Sequence, residues 1–95
     1  MDKHSPFHPE AVGRRLIALR NHHGKTRAEF SAAVQIDATS YGKIEKGTKP
    51  LKADMAYRIA ERWGVSMDFL YRGRLTELPD NLADSLMKNL TTDKP

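Results

Sequence analysis

Apolar residues recur every three or four positions along most of this chain, and the stripes they form are separated by glycines and helix-capping residues. Val12, Leu16 and Leu19, widened by Ile17, make one stripe between Pro9 and His23, with Arg14, Arg15 and Arg20 directed elsewhere. This predicts a first helix, stopped by Gly24. Thr26-Arg27-Ala28-Glu29 has the form of a capping box, so a second helix follows and buries Phe30, Ala33 and Val34. Only Gln35 and Ile36 precede Asp37, which caps a third helix that turns Tyr41 and Ile44 inward and ends at Gly47. Met55, Ile59, Ala60 and Trp63 give a fourth helix before Gly64. Val65 and Ser66 open a short fifth with Phe69 and Leu70, closed near Gly73. Leu75 to Leu78 reads as linker, and Asp80 caps a sixth helix whose stripe is Leu82, Leu86 and Leu90 with Ala83 and Met87. The final TTDKP reads as frayed. β-branched residues never alternate over a strand-length window, so the fold class is all-α.

So short a connection between the second and third helices does not suit a flat antiparallel hairpin and predicts a helix-turn-helix corner. With Tyr41 and Ile44 committed to the core, Ala38, Thr39, Gly42, Lys43 and Lys46 are left facing outward on the third helix. That face is slim and cationic. A DNA major groove about 12 Å wide admits one helix, and small side chains near its N-terminus permit close approach. Lys43 can donate to guanine O6 and N7, Thr39 can meet a base edge, and Ala38 can touch a thymine methyl. Arg27, Lys46, Lys49 and Lys52 can place cationic donors beside flanking phosphates.

Charge placement strengthens this picture. Residues 1–52 hold 10 Lys/Arg against 5 Asp/Glu, and residues 53–95 hold 6 against 7, so the net +4 divides into +5 and −1. The basic excess lies in the half that contains the third helix, as expected of a polyanion-binding face. At 95 residues the chain forms one small domain, able to bury only about 60–65 per cent of its unfolded surface, which leaves little room for an enclosed active site. There is no glycine-rich phosphate loop and no recognisable nucleophile–base pair, so no enzyme activity and no cofactor are expected. Adjacent His22 and His23 diverge by about 100° on a helix and do not converge on a metal; helix-end capping or phosphate proximity is expected of them. His4 and His8 fall in a proline-containing arm read as disordered. Trp63, Phe69, Phe30 and Tyr57 take packing positions. The chain has no cysteine, no signal-type apolar core at its start and no window of about 20 apolar residues, giving the expectation of a cytoplasmic protein with no membrane contact.

Three segments then carry a family resemblance. LIALRNHHGKTRAEFSAAV, YGKIEKGTKP and AYRIAERWGVSMDFLYRG together resemble the phage Cro and repressor, or XRE, class of helix-turn-helix proteins over about residues 12–73. The resemblance implies a lambda-repressor-like five-helix DNA-binding domain, here with an additional C-terminal helix, that binds double-stranded DNA as a transcriptional regulator. By position it implies base-facing roles for Ala38, Thr39 and Lys43, beside which Gly42 allows the backbone to approach the bases closely, and a phosphate-contacting role for Arg27, where the family usually has glutamine. It implies an internal bond or ion pair for Glu45. The chain departs from the pattern at Gln35, where the family's turn commonly has glycine; at Gly42, which weakens the recognition helix; and at Lys52, where a capping serine or threonine is common.

The expected organisation is an arm over residues 1–8, the DNA-binding domain over 9–73, and a linker and helical tail over 74–95. One recognition helix reads only a few base pairs, so a homodimer on two half-sites is expected, with Leu82, Leu86, Met87 and Leu90 as the candidate pairing stripe; the same stripe can instead fold back on its own domain. Rival readings are an antitoxin-like module that binds a partner protein and autoregulates, and a domain of this fold that no longer reads DNA.

Overall fold

The computed structural model describes residue 2 and residues 4–92, and among these it contains six helices and no strand: α1 Pro9–His22, α2 Arg27–Ala33, α3 Ala38–Lys46, α4 Ala53–Trp63, α5 Met67–Arg72 and α6 Asp80–Thr92. The boundaries follow from local chemistry. Pro9 occupies the first turn of α1, where its missing N–H costs nothing, and His8 Nδ1 accepts from the Glu10 N–H at 3.1 Å. Both halves of the Thr26–Glu29 capping box are formed, at 3.0 and 3.1 Å. Asp37 accepts from the Ser40 N–H at 3.0 Å, and Ser66 from the Phe69 N–H at 2.9 Å. Lys52 precedes α4 without a side-chain cap bond. Asp80 is the first residue of α6 and not its cap.

Helix α1 is the hub, packing against α3, α5 and α6, while α2 lies on α3 and α4 on α5. Leu16, Leu19, Phe30, Tyr41, Ile44, Ile59, Phe69, Leu70 and Leu86 are fully enclosed. The Phe30 and Trp63 rings stack in parallel with centroids 4.9 Å apart, so Trp63 is a core residue. At Gly13, α1 crosses α3 so closely that a methyl group would overlap the Ile44 and Glu45 carbonyls. Gly47 ends α3 in the left-handed region, φ 80°, and also lies against Glu10, where any side chain would collide. These two contacts set the inner face of α3 on α1 and turn its other face outward.

Several packing expectations are corrected. Ala33 is exposed and Ser31 is buried, because the short α2 buries the Phe30–Ser31–Val34 side and Ala33 lies off it. Tyr57 is 58% exposed: the stripe of α4 is Ala56, Ile59, Ala60 and Trp63, and Tyr57 sits about 100° further round. Arg15 lies on the buried stripe of α1, between Val12 and Leu19, and donates to the carbonyls of Pro6 at 2.8 Å and Leu70 at 3.0 Å. Burial, with Arg14 beside it, lowers the pKa of that guanidinium. This bond also bears on the arm expected to be disordered. Residues 4–8 form hydrogen-bonded turns and Pro6 is tied to α1; Met1 and Lys3 lie outside the described residues. His22 and His23 serve packing: His22 Nδ1 lies 2.6 Å from Ser85 Oγ of α6, and His23 Nε2 lies 3.3 Å from the Trp63 carbonyl of α4.

The leucine stripe takes the second of the two arrangements open to it. Leu78, Leu82 and Leu86 belong to the same core as α1, and Leu86 has no exposed surface. Leu82 and Leu86 are therefore spent on the chain's own domain and not presented to a second copy. Leu90 is half-buried against the core, and Met87 alone of the four is well exposed, at 54%. The fraying expected over 91–95 falls largely on residues 93–95, outside the described residues.

Candidate nucleic-acid interface

The corner between α2 and α3 is built around one residue. Gln35 takes φ 60°, the left-handed conformation that favours glycine, the residue common at this place in the family the chain resembles. The Gln35 N–H bonds to Ala32 O at 3.2 Å and the Ile36 N–H to Ser31 O at 3.0 Å, closing the turn in the space of two residues. Ile36, just before the Asp37 cap, and Tyr41, in the first turns of α3, are both buried, the positions at which a hydrophobic staple sets a helix's entry angle. Arg58 of α4 donates from Nε to the Val34 carbonyl at 2.8 Å and pairs with Asp54 at 3.3 Å, fastening the turn from behind.

On α3 the face turned away from α1 carries Ala38, Thr39, Lys43 and Lys46, all exposed, and half-buried Gly42. A Cβ on Gly42 would meet nothing within 4 Å, so the chain itself leaves this surface open. Lys52 is exposed beyond the helix. Lys49 is half-buried because its Nζ donates to Ser40 Oγ at 3.0 Å.

Beneath this face Glu45 is held as the resemblance implied. Arg20 of α1 grips its carboxylate with two donors, Nε–Oε2 at 2.7 Å and Nη2–Oε1 at 3.1 Å, and that bond raises the Arg20 pKa. Arg27 Nε lies 3.8 Å from Glu45 Oε1, with the Arg27 side chain 55% exposed, so one carboxylate steadies an arginine at the N-terminus of α2. The buried Tyr41 hydroxyl sits beside this pair. Burial first, then the Glu45 carboxylate, pushes its pKa upward, so it stays neutral.

Two groups of cations contrast on this side of the fold and behind it. Arg20, Arg27, Arg58, Arg72 and Arg74 each face a carboxylate within 4 Å. Lys43, Lys46, Lys49 and Lys52 form no ion pair with the described residues and gather on α3 and the loop after it. The structure thus brings the expected base-facing residues onto one helix face, with Lys46, Lys49 and Lys52 following them. Sequence reasoning missed Ser40 and Arg58. Ser40 lies nine residues from Lys49 and Arg58 lies 24 from Val34, separations with no helical periodicity to signal them.

A two-residue corner that sets a cation-bearing, small-residue helix outward from an all-helical core defines a helix-turn-helix DNA-binding domain. A helix-turn-helix family model matches residues 16–70, and the chain belongs to that family, the Cro/repressor or XRE class. It is a DNA-binding transcription regulator. No curated protein and no solved structure matches it. No described helix is long and apolar enough to cross a membrane.

Proposed function

We propose that this protein is a sequence-specific repressor that acts in the cytoplasm as a dimer, by occupying double-stranded operator DNA. The observation that carries the reading is the outer face of α3, slim at Ala38, Thr39 and Gly42 and flanked by lysines without carboxylate partners among the described residues. In this reading α3 enters the major groove. Lys43 donates to a guanine edge, and Thr39 and Ala38 meet neighbouring bases across the gap left by Gly42. Arg27, Lys46, Lys49 and Lys52 bind flanking phosphates, which fixes register and supplies salt-dependent affinity. Arg27 can turn to a phosphate without orphaning Glu45, because Arg20 keeps both carboxylate oxygens occupied.

Reach supports the dimer. The longest dimension of the protein is 31 Å, and successive major-groove segments on one side of DNA lie about 34 Å apart, so one copy of α3 reads one half-site. With Leu82 and Leu86 buried, pairing rests on a surface other than the full leucine stripe, with Met87 and Leu90 the members still able to contribute.

Two substitutions test the division of labour. Lys43→Ala weakens the preferred site by about 1–3 kcal/mol and relaxes preference at one position, while Lys49→Ala weakens all sequences alike and lowers the salt slope by about one. Competition binding over a series of salt concentrations measures both. Equal losses on all sequences for Lys43→Ala would make it a phosphate contact and remove the main base-reading side chain.

A further inference from the structure

Lys49 lies on the loop after α3, yet its ammonium is brought back over the helix to the Ser40 hydroxyl, 3.0 Å away. We propose that Ser40 is a positioning residue, whose hydroxyl holds Lys49 at the rim of the α3 face so that its remaining donors meet a DNA phosphate already aligned. The proposal rests on the DNA-binding reading above and adds to it the device that sets one phosphate contact.

Three observations support it. First, the partner is neutral. Lys49 pairs with none of the carboxylates among the described residues, so its charge is placed without being cancelled. An ammonium has three donors and the serine oxygen takes one, leaving two for an incoming anion. Second, Ser40 and Lys43 are three residues apart and therefore neighbours on α3, so the held ammonium stands beside the Lys43 edge of the helix. Third, the link is a poor fold staple. Pinning a lysine removes much of its rotamer freedom, and that loss largely offsets a single part-buried ammonium–hydroxyl bond. Its effect is to fix where a charge sits before DNA arrives, which lowers the ordering cost of binding.

The test is a double-mutant cycle on DNA affinity, using a mixed-sequence duplex of about 20 base pairs, long enough for two half-sites a helical turn apart. Ser40→Ala keeps the α3 cap, because Asp37 accepts from the backbone N–H of residue 40, so the variant is expected to fold with an unchanged melting temperature. Ser40→Ala should weaken binding about three- to ten-fold in the natural background, Ser40→Thr should restore it, and Ser40→Ala should add nothing to Lys49→Ala. An equal loss in both backgrounds would mean that Ser40 acts independently of Lys49, and no loss in either would mean that the link is idle; each overturns the proposal. If Lys43→Ala still behaves as a base contact in that case, the DNA reading stands and only the positioning role fails. A natural protein with no salt-dependent affinity for any duplex would remove both.

Discussion

Gly42 is the glycine of this chain that neither backbone conformation nor packing demands. Gly24, Gly47, Gly64 and Gly73 have positive φ, and Gly13 lies against α3, but Gly42 is in the middle of a regular helix with open space where a methyl would go. Its presence weakens α3. Gly42→Ala should therefore stabilise the fold by about 0.5–1 kcal/mol, measured by urea or thermal unfolding. A loss of stability would show that the glycine answers some internal need absent from this account. At this scale the sequence was legible where a residue's partner lies within a turn of it. Thr26 with Glu29, Asp37 with Ser40, and Gly47 at the end of α3 all follow from neighbours three or four positions away. Arg15 with Leu70, Ser40 with Lys49, and Arg58 with Val34 were not legible, since nothing local announces a bond made across the fold. The Arg20–Glu45 pair spans 25 residues, and the family resemblance foresaw only a bond at Glu45 and not its partner.

Helices behave differently from residues, because periodicity gives a helix its face but not the surface that covers it. The stripes of α1, α3 and α4 were read and found their partners within the domain. That of α6 was read equally well but left open between pairing with a second copy and folding back, and it covers α1 through Leu82 and Leu86, with Ser85 meeting His22 beside them. A leucine stripe carries no record of which chain it faces. The packing predicts that Leu86→Ala destabilises the whole domain by about 2–5 kcal/mol, in a single unfolding transition shared by α6 and the rest. Circular dichroism and tryptophan fluorescence should report the same midpoint, since Trp63 lies in the same core. An unchanged midpoint together with a change of oligomeric state would return α6 to the role of a pairing helix.

At the scale of the whole molecule, charge and size together define what the protein meets. The +5 of residues 1–52 against the −1 of residues 53–95 puts the basic excess in the half of the chain that holds α3. Its 31 Å length covers about one turn of DNA, and the proposed reading draws usable specificity from two copies in two-fold register. The most direct test is selection of bound duplexes from a random DNA pool at about 150 mM salt, where non-specific binding is weak. This account predicts a consensus of two inverted half-sites with centres about one helical turn apart, each altered at a single position by Lys43→Ala. Recovery of no motif, with the protein folded, would contradict it and would leave the basic half to non-specific DNA or to a protein partner.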